Sequence, residues 1–468
     1  MSSRHLAAFL LLASTVAVIG SFCAVPVGTG VEEHFALGRR LHETGSLGAR
    51  LLRPPGYPAF VATVLWTRDA LSAAGALRFD DAFAVSVAQR LALLLCSGFV
   101  FRQALRDRSP FAAFCLATLF SCNPLSVVLS GTLSYPLLDM LLVCLGTLLL
   151  ARITSEQPRW WPAGLLAGVV WGLAAMVRPV ALALPGFVLG IGLLRRPGSW
   201  RHLLAVTGAL ALGMASIVGP YTLRNFALTG RLVPVCAQGG FALWGSSAAR
   251  PTRGAAYVDW RRIWQKQGLP IYTRITGHKE YSLDLLTQYA PELDAAFRSA
   301  ALANITRHPE TYLFNVVNNL CRYPLDTSDW WWQRFLWVNA GRPWDSNGVA
   351  PPAAASWPWI RLADALVVAL SVCGLAGIVV GLWRSDPWAE PILVVYAMSW
   401  VGHGLTFTMS RYTYARLPLL VLALGMLLRP PSTAPSEALV GITRLATVLV
   451  AILVGLAIVS SLGLILAH

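Results

Sequence analysis

The chain has 468 residues, 56% of them hydrophobic and only 13% charged, where a soluble domain carries about 25% charged residues. Together with a mean hydropathy of +0.59, this excludes a soluble globular protein and points to an all-α polytopic membrane protein. The formal net charge of +15 does not point to nucleic acid: lysine occurs only at Lys266 and Lys279, and the arginines sit mostly in short loops between apolar runs, as the positive-inside rule expects.

Arg4 and His5 precede an apolar run over 6–27. Its exit, Phe22-Cys23-Ala24-Val25-Pro26, lacks small-x-small cleavage chemistry, so it reads as an uncleaved first span. The segment 28–82 follows. It carries Glu32-Glu33-His34-Phe35, a short amphipathic run, and then Arg53-Pro54-Pro55-Gly56-Tyr57-Pro58. Further spans are predicted at 83–101, 111–130, 136–151, 162–178, 180–194, 203–222, 362–383, 390–408, 417–428 and 445–466, about eleven in all (ten to twelve) at roughly 20 residues each.

With the N-terminus inside, the inner loops carry Arg102, Arg106 and Arg108, then Arg152 and Arg159, then Arg195, Arg196 and Arg201, and later Arg384, Arg429 and Arg444. This is a consistent cytoplasmic bias. It places 28–82 and 223–361 on the outer side. The expected organisation is a membrane module over 1–222, an outer, mostly helical segment over 223–361, and C-terminal spans over 362–468. Helical periodicity in the outer segment covers Tyr281–Arg298 and Ala300–Leu320, with Pro291 and Pro309 at plausible starts. Seven tryptophans between Trp330 and Trp359 crowd its end, as an interfacial belt or as a stacking platform for sugar or lipid. The eight cysteines show no zinc spacing, and a bridge between Cys236 and Cys321 in the outer segment stays open.

The residues able to carry chemistry cluster on the outer side. Glu32 and Glu33 directly follow the first span. Neighbouring carboxylates partly out of water suit a general base, though acids also favour a helix start. Asp139 lies one turn into a span, where a carboxylate needs a partner or water. Arg178, Arg224, Arg411 and Arg416 sit near outer span ends, where the positive-inside rule disfavours them. Singly, each reads as an interfacial arginine. As a set with Arg53 and Tyr57 on the rigid Pro-rich turn, they suit a phosphate-bearing lipid. His403 reads as a packed or hydrogen-bonded histidine. No phosphate-cradling glycine loop, metal-binding helix motif or nucleophile elbow occurs.

At these residues the chain resembles the lipid-linked-sugar-dependent glycosyltransferases of the GT-C fold. The likeness is to family 39 and its relatives: protein O-mannosyltransferases, the aminoarabinose transferase acting on lipid A, and bacterial lipopolysaccharide glycosyltransferases. The motifs that carry the resemblance occur in the family's order. They are Glu32 to Phe35, Arg53 to Pro58, Leu138-Asp139, Gly172 to Pro179, Pro220 to Asn225, the run Gly239 to Gly245, and Arg411 to Pro418. One departure stands out. Aligned on His34-Phe35, the family's catalytic aspartate falls on Val31 and its glutamate neighbour on Glu32.

The resemblance implies transfer of a sugar from a polyprenyl-phosphate donor to a lipid, glycan or protein hydroxyl, with inversion, at the outer face of a bacterial inner membrane. Glu32 or Glu33 would take the acceptor proton, and Asp139 would orient the acceptor or that carboxylate. Arg53, Tyr57, Arg178, Arg224, Arg411 and Arg416 would hold the donor phosphate. No metal ligands are assigned; divalent-cation dependence varies in the superfamily and stays open. The competing readings are a catalytically inactive scaffold of the same fold and a lipid-linked sugar transporter. Against the transporter, the sequence shows no internal repeat of the kind those proteins use.

Overall fold

The computed structural model describes residues 32–48, 51–74, 80–107, 110–121, 126, 133–154, 160–196, 199–248, 263–280, 282–323, 358–406 and 414–427. Every element among them is helical. In chain order these are α1 (Glu32–Thr44), α2 (Gly56–Ala73), α3 (Asp81–Asp107), α4 (Pro110–Ser121), α5 (Pro136–Thr154), α6 (Trp160–Val177), α7 (Leu184–Arg195), α8 (Trp200–Thr229), α9 (Gly239–Ser247), α10 (Leu269–Thr276), α11 (Leu283–Gln288), α12 (Ala290–Arg307), α13 (Pro309–Arg322), α14 (Pro358–Trp383), α15 (Ala389–Leu405) and α16 (Leu417–Leu427). Short tight turns over Pro179–Ala183 and Tyr414–Arg416 lead into α7 and α16.

Nine of the predicted spans fall on helices α3 to α8 and α14 to α16. Three of these, at Asp81–Arg106, Pro136–Ile153 and Trp200–Thr229, are long and apolar enough to cross a membrane on length and composition. The chain is a multi-pass, all-α membrane protein. The predicted spans 6–27 and 445–466, the tryptophan-rich stretch from Trp330 to Trp357, and Arg411 lie outside the described residues.

Helices in a membrane pack through close backbone approach at small residues. The α6–α8 pair shows this along its length. A Cβ added at Gly168 would lie 2.2 Å from the Leu210 carbonyl oxygen, and one at Gly213 would lie 2.2 Å from that of Leu165. The pair holds α6 in place up to its end at Val177, just before Arg178. The bundle core runs from Leu93 and Phe120 through Trp171 to Ile392 and Leu420.

α1 and α2 form a hairpin beside the bundle. Phe35, Leu37 and Gly38 are buried, while Arg39, Arg40 and Glu43 are exposed. Polar contacts tie the hairpin together and to the start of α3: His42 to Asp69 at 2.7 Å, Arg39 to Asp81 at 2.9 Å, and Arg68 to both Asp69 and Asp81. Arg68, and then His42, hold the Asp69 carboxyl below its usual range.

α15 spans the bundle between two polar ends. At its start, Glu390 accepts from Arg195 at 2.6 Å and Arg196 at 3.3 Å, both at the end of α7. At its other end, His403 meets Arg178. They are thirteen positions apart along the helix, roughly 20 Å. The start of α15 lies with arginines expected on the inner side. The far end of α15 lies with the candidate site.

The α6–α8 contact is testable with one methyl group. Gly168→Ala should destabilise the detergent-solubilised protein by about 1–3 kcal/mol, the usual cost of overpacking. Gly208→Ala, on the same α8 but with open space at its Cβ, should be near neutral by the same denaturation midpoint.

Candidate functional site

Asp139 enters the site because Pro136 opens α5, a position where its missing N–H costs nothing. Asp139 then falls in the first turn, where the helix dipole favours a carboxylate. Arg178 enters because Pro179 forces the preceding residue off the helix; its backbone is extended, at φ −143° and ψ 108°. Arg416 enters from the tight turn just before α16. All three are buried, with side-chain exposures of 1%, 6% and 0%.

Arg178 Nη1 lies 3.5 Å and Arg416 Nη1 3.4 Å from Asp139 Oδ2. α15 orients both arginines. Arg416 Nε donates to Ser399 Oγ at 2.6 Å, and Arg178 Nη2 donates to His403 Nε2 at 2.9 Å. Arginine has only donors, so this His403 nitrogen is the acceptor. The His403 ring stacks on Tyr323. Two guanidiniums thus share one carboxylate. Asp139 Oδ1 and Arg416 Nη2 have no hydrogen-bond partner among the described residues.

A second acid–arginine pair sits on the hairpin. Arg53 Nε donates to Glu33 Oε2 at 2.8 Å, and the Glu33 side chain is only 12% exposed. Glu32 begins α1, but its side chain lies outside the described part of the structure, as do Val31 and Arg411. Rings link the two pairs. His34 meets Tyr135 edge-on at 5.5 Å, and the Arg178 guanidinium lies over Tyr135 at 5.8 Å.

Tyr57 differs from the sequence expectation. It is 1% exposed, and its hydroxyl donates to Gln89 Oε1 at 2.8 Å. Burial pushes its phenol far above the usual value. The hydroxyl expected to help hold phosphate is committed to α3, so Tyr57 is a positioning residue. Gly56, its neighbour, is needed for close approach: a Cβ there would lie 2.7 Å from the Met176 carbonyl carbon. The Pro-rich turn is therefore seated on the end of α6, two residues before Arg178.

Arg224 stands apart from Asp139's partners. It donates to the Gly48 carbonyl and to Asn225 Oδ1 at 3.1 Å, and it lies over the Tyr221 ring at 5.3 Å. With Tyr221 it edges a cleft of about 550 Å³. The cleft walls are apolar, formed by Leu138, Leu142, Leu173, Met176, Val177 and Ile217. Leu138 and Val177 are the immediate neighbours of Asp139 and Arg178.

Sequence reasoning missed Gln89, Ser399 and Tyr323. The first two are polar residues in apolar helices, a usable signal; Tyr323 offered none. Cys236 is a free thiol, and burial pushes it up to about 12. The Cys321 side chain lies outside the described part.

Residues 70–220, about a third of the chain, match the family model for dolichyl-phosphate-mannose-protein mannosyltransferases. The matched stretch contains Asp139 and Arg178; Glu33, Arg53, Arg224 and Arg416 lie outside it. Among solved structures, the chain is similar to the archaeal oligosaccharyltransferase AglB from Archaeoglobus fulgidus, in complex with an inhibitory peptide and a dolichol-phosphate. The identity is 12% and the TM-score 0.47, over 98% of this chain and 55% of that one. It is also similar to ArnT from Cupriavidus metallidurans bound to undecaprenyl phosphate, at 13% identity and TM-score 0.40, over 89% of this chain and 77% of that one. The chain spans about half the length of the archaeal protein. No curated protein matches it.

Three outcomes are expected. Asp139→Leu should cost about 3–5 kcal/mol by denaturation in detergent, because it removes the carboxylate that two buried guanidiniums share. Asp139→Leu combined with Arg416→Leu should cost less than the sum of the single changes, since the two share one contact. Cys236 should resist maleimide at pH 7.5 in the folded protein and react on denaturation, because the thiolate is the reactive form.

Proposed function

We propose that the chain is a membrane glycosyltransferase of the GT-C type, which moves a sugar from a polyprenyl-phosphate donor to an acceptor hydroxyl on the extracytoplasmic face. The observation that carries this reading is the apolar cleft edged by Arg224 and Tyr221, whose wall ends beside Asp139 and Arg178. An apolar groove with a guanidinium at its rim has the chemistry of a lipid chain ending in phosphate. The family-model match over 70–220 and the motif order support the same class.

In this reading the prenyl chain lies along Leu142, Leu173 and Ile217, with its phosphate toward Arg224. Glu33, fixed by Arg53, takes the proton from the acceptor hydroxyl as its oxygen attacks the anomeric carbon. The new C–O bond forms as the bond to the phosphate oxygen breaks. Polyprenyl phosphate leaves, and the anomeric configuration inverts. Arg224, Arg178 and Arg416 stabilise the charge that grows on the departing phosphate, the electrostatic share of catalysis. Arg53 and Asp139 act as positioning residues. Arg411 belongs to the same outer cluster by sequence. The outer segment 223–361 and the hairpin then face the periplasm of a bacterial inner membrane, with 1–222 and 362–468 as the membrane modules.

The test uses the full chain in nanodiscs with labelled polyprenyl-phosphate sugars. Native protein should consume donor and release polyprenyl phosphate. Glu33→Gln should lower turnover by about 10²–10⁴-fold, the usual share of a general base. Arg224→Ala should chiefly raise the donor KM. A collapse in Glu32→Gln with Glu33→Gln active would move the base by one residue. Translocation of intact donor would show a transporter. Neither consumption nor translocation would show a scaffold.

A further inference from the structure

The Leu52–Arg53 end of the Pro-rich turn borders a separate cavity of about 160 Å³, lined also by Gln238, Phe241, Trp264 and Phe297. An apolar cavity of about 150 Å³ holds one benzene ring, so this one admits a single six-membered ring. Its lining combines two chemistries. Phe241, Trp264 and Phe297 pack as a ring cluster, with centroids 5.2–6.3 Å apart, and Phe241 and Trp264 remain partly open. Arg53 and Gln238 add a guanidinium and an amide to the lining.

Asp294 also borders the cavity, but Oδ1 accepts from Gly240 N at 2.6 Å and Oδ2 from Arg298 at 2.7 Å. It holds α9 against α12. Arg53 uses Nε on Glu33, and its side chain and that of Gln238 line the cavity. The lining therefore joins aromatic rings to a guanidinium and an amide.

We infer that this cavity binds one pyranose unit of a glycan acceptor. A pyranose has an apolar C–H face for the rings and equatorial hydroxyls for Arg53 and Gln238. The acceptor is assigned here, and not the donor sugar, because of Arg53. It lines the cavity and grips Glu33 at once, so a hydroxyl at this wall lies beside the proposed base. The proposed donor phosphate end, at Arg224, belongs to the separate apolar cleft. The inference rests on the transferase reading and narrows its acceptor from lipid, glycan or protein to a glycosyl unit.

The experiment is saturation-transfer NMR on the full chain in nanodiscs, with methyl α- and β-hexopyranosides of the gluco, galacto and manno series. Undecaprenyl phosphate binding is measured on the same samples. At least one pyranoside should receive saturation, strongest at the C–H protons of one ring face. Gln238→Leu and Trp264→Ala should each weaken that binding at least tenfold and leave undecaprenyl phosphate binding unchanged. Gln238→Leu keeps the test valid if the tryptophan variant fails to fold. Undecaprenyl phosphate binding without any pyranoside binding would overturn this inference and leave the transferase reading standing. So would pyranoside binding that ignores both substitutions. Pyranoside binding that follows the substitutions, with no binding of undecaprenyl phosphate, would sink the donor reading and keep the sugar pocket.

Discussion

The contact on which the rest of the structure depends is the buried carboxylate of Asp139 between Arg178 and Arg416. It joins the start of α5, the end of α6 and the turn before α16, segments separated by up to 277 residues. α15 supplies Ser399 and His403 behind the two guanidiniums. Buried charge is costly to isolate, so none of these helices can shift without exposing that cost. The cluster carries two positive charges against one negative charge. The apolar cleft ends beside this cluster, at Leu138 and Val177.

The other end of α15 explains why the cluster has a defined side. Glu390 is held there by Arg195 and Arg196. α5 repeats the polarity: Asp139 sits in its first turn and Arg152 in its last. Both helices thus meet the Asp139 cluster at one end and loop arginines at the other. The positive-inside rule favours the cytoplasm for the loop-arginine end, which supports the extracytoplasmic site of the proposed function.

Much of this was legible in the sequence, for reasons that can be named. Asp139, Arg178 and Arg416 stood out because each breaks a rule of membrane segments. Rule-breaking reveals that a residue has a partner, but not which one. The pairing of Asp139 with Arg416 depends on long-range packing that no local pattern encodes. Tyr57 failed for a related reason. A tyrosine beside Arg53 on a rigid turn suits a phosphate equally well as a buried partner, and Gln89, 32 residues on, decided it. In the outer segment, Pro291 and Pro309 mark where α12 and α13 begin, because proline suits the first helical turn. α12 (Ala290–Arg307) nevertheless bridges the two periodic stretches, and α11 takes the first part of the earlier one, since amphipathicity reports a buried face and not a hydrogen-bonded end. The aromatic cavity was invisible. Its lining comes from Arg53, Gln238, Trp264 and Phe297, which share no spacing.

The Arg53–Pro58 turn is then more than an entry into α2. Pro55, Gly56 and Phe60 wall the apolar cleft, and Leu52 and Arg53 wall the aromatic cavity. Displacement at an anomeric carbon needs nucleophile and leaving group on opposite sides of one atom, and under the proposed function this one turn borders the places of both. It must also be stiff, because the benefit of holding two reactants in place is lost with small misplacements. Three prolines fix the backbone angles there. Gly56 seats the turn on the Met176 backbone, and the Tyr57 hydroxyl bonds it to α3. Through that bond to Gln89, Tyr57 holds the turn that borders both Arg53 and the aromatic cavity.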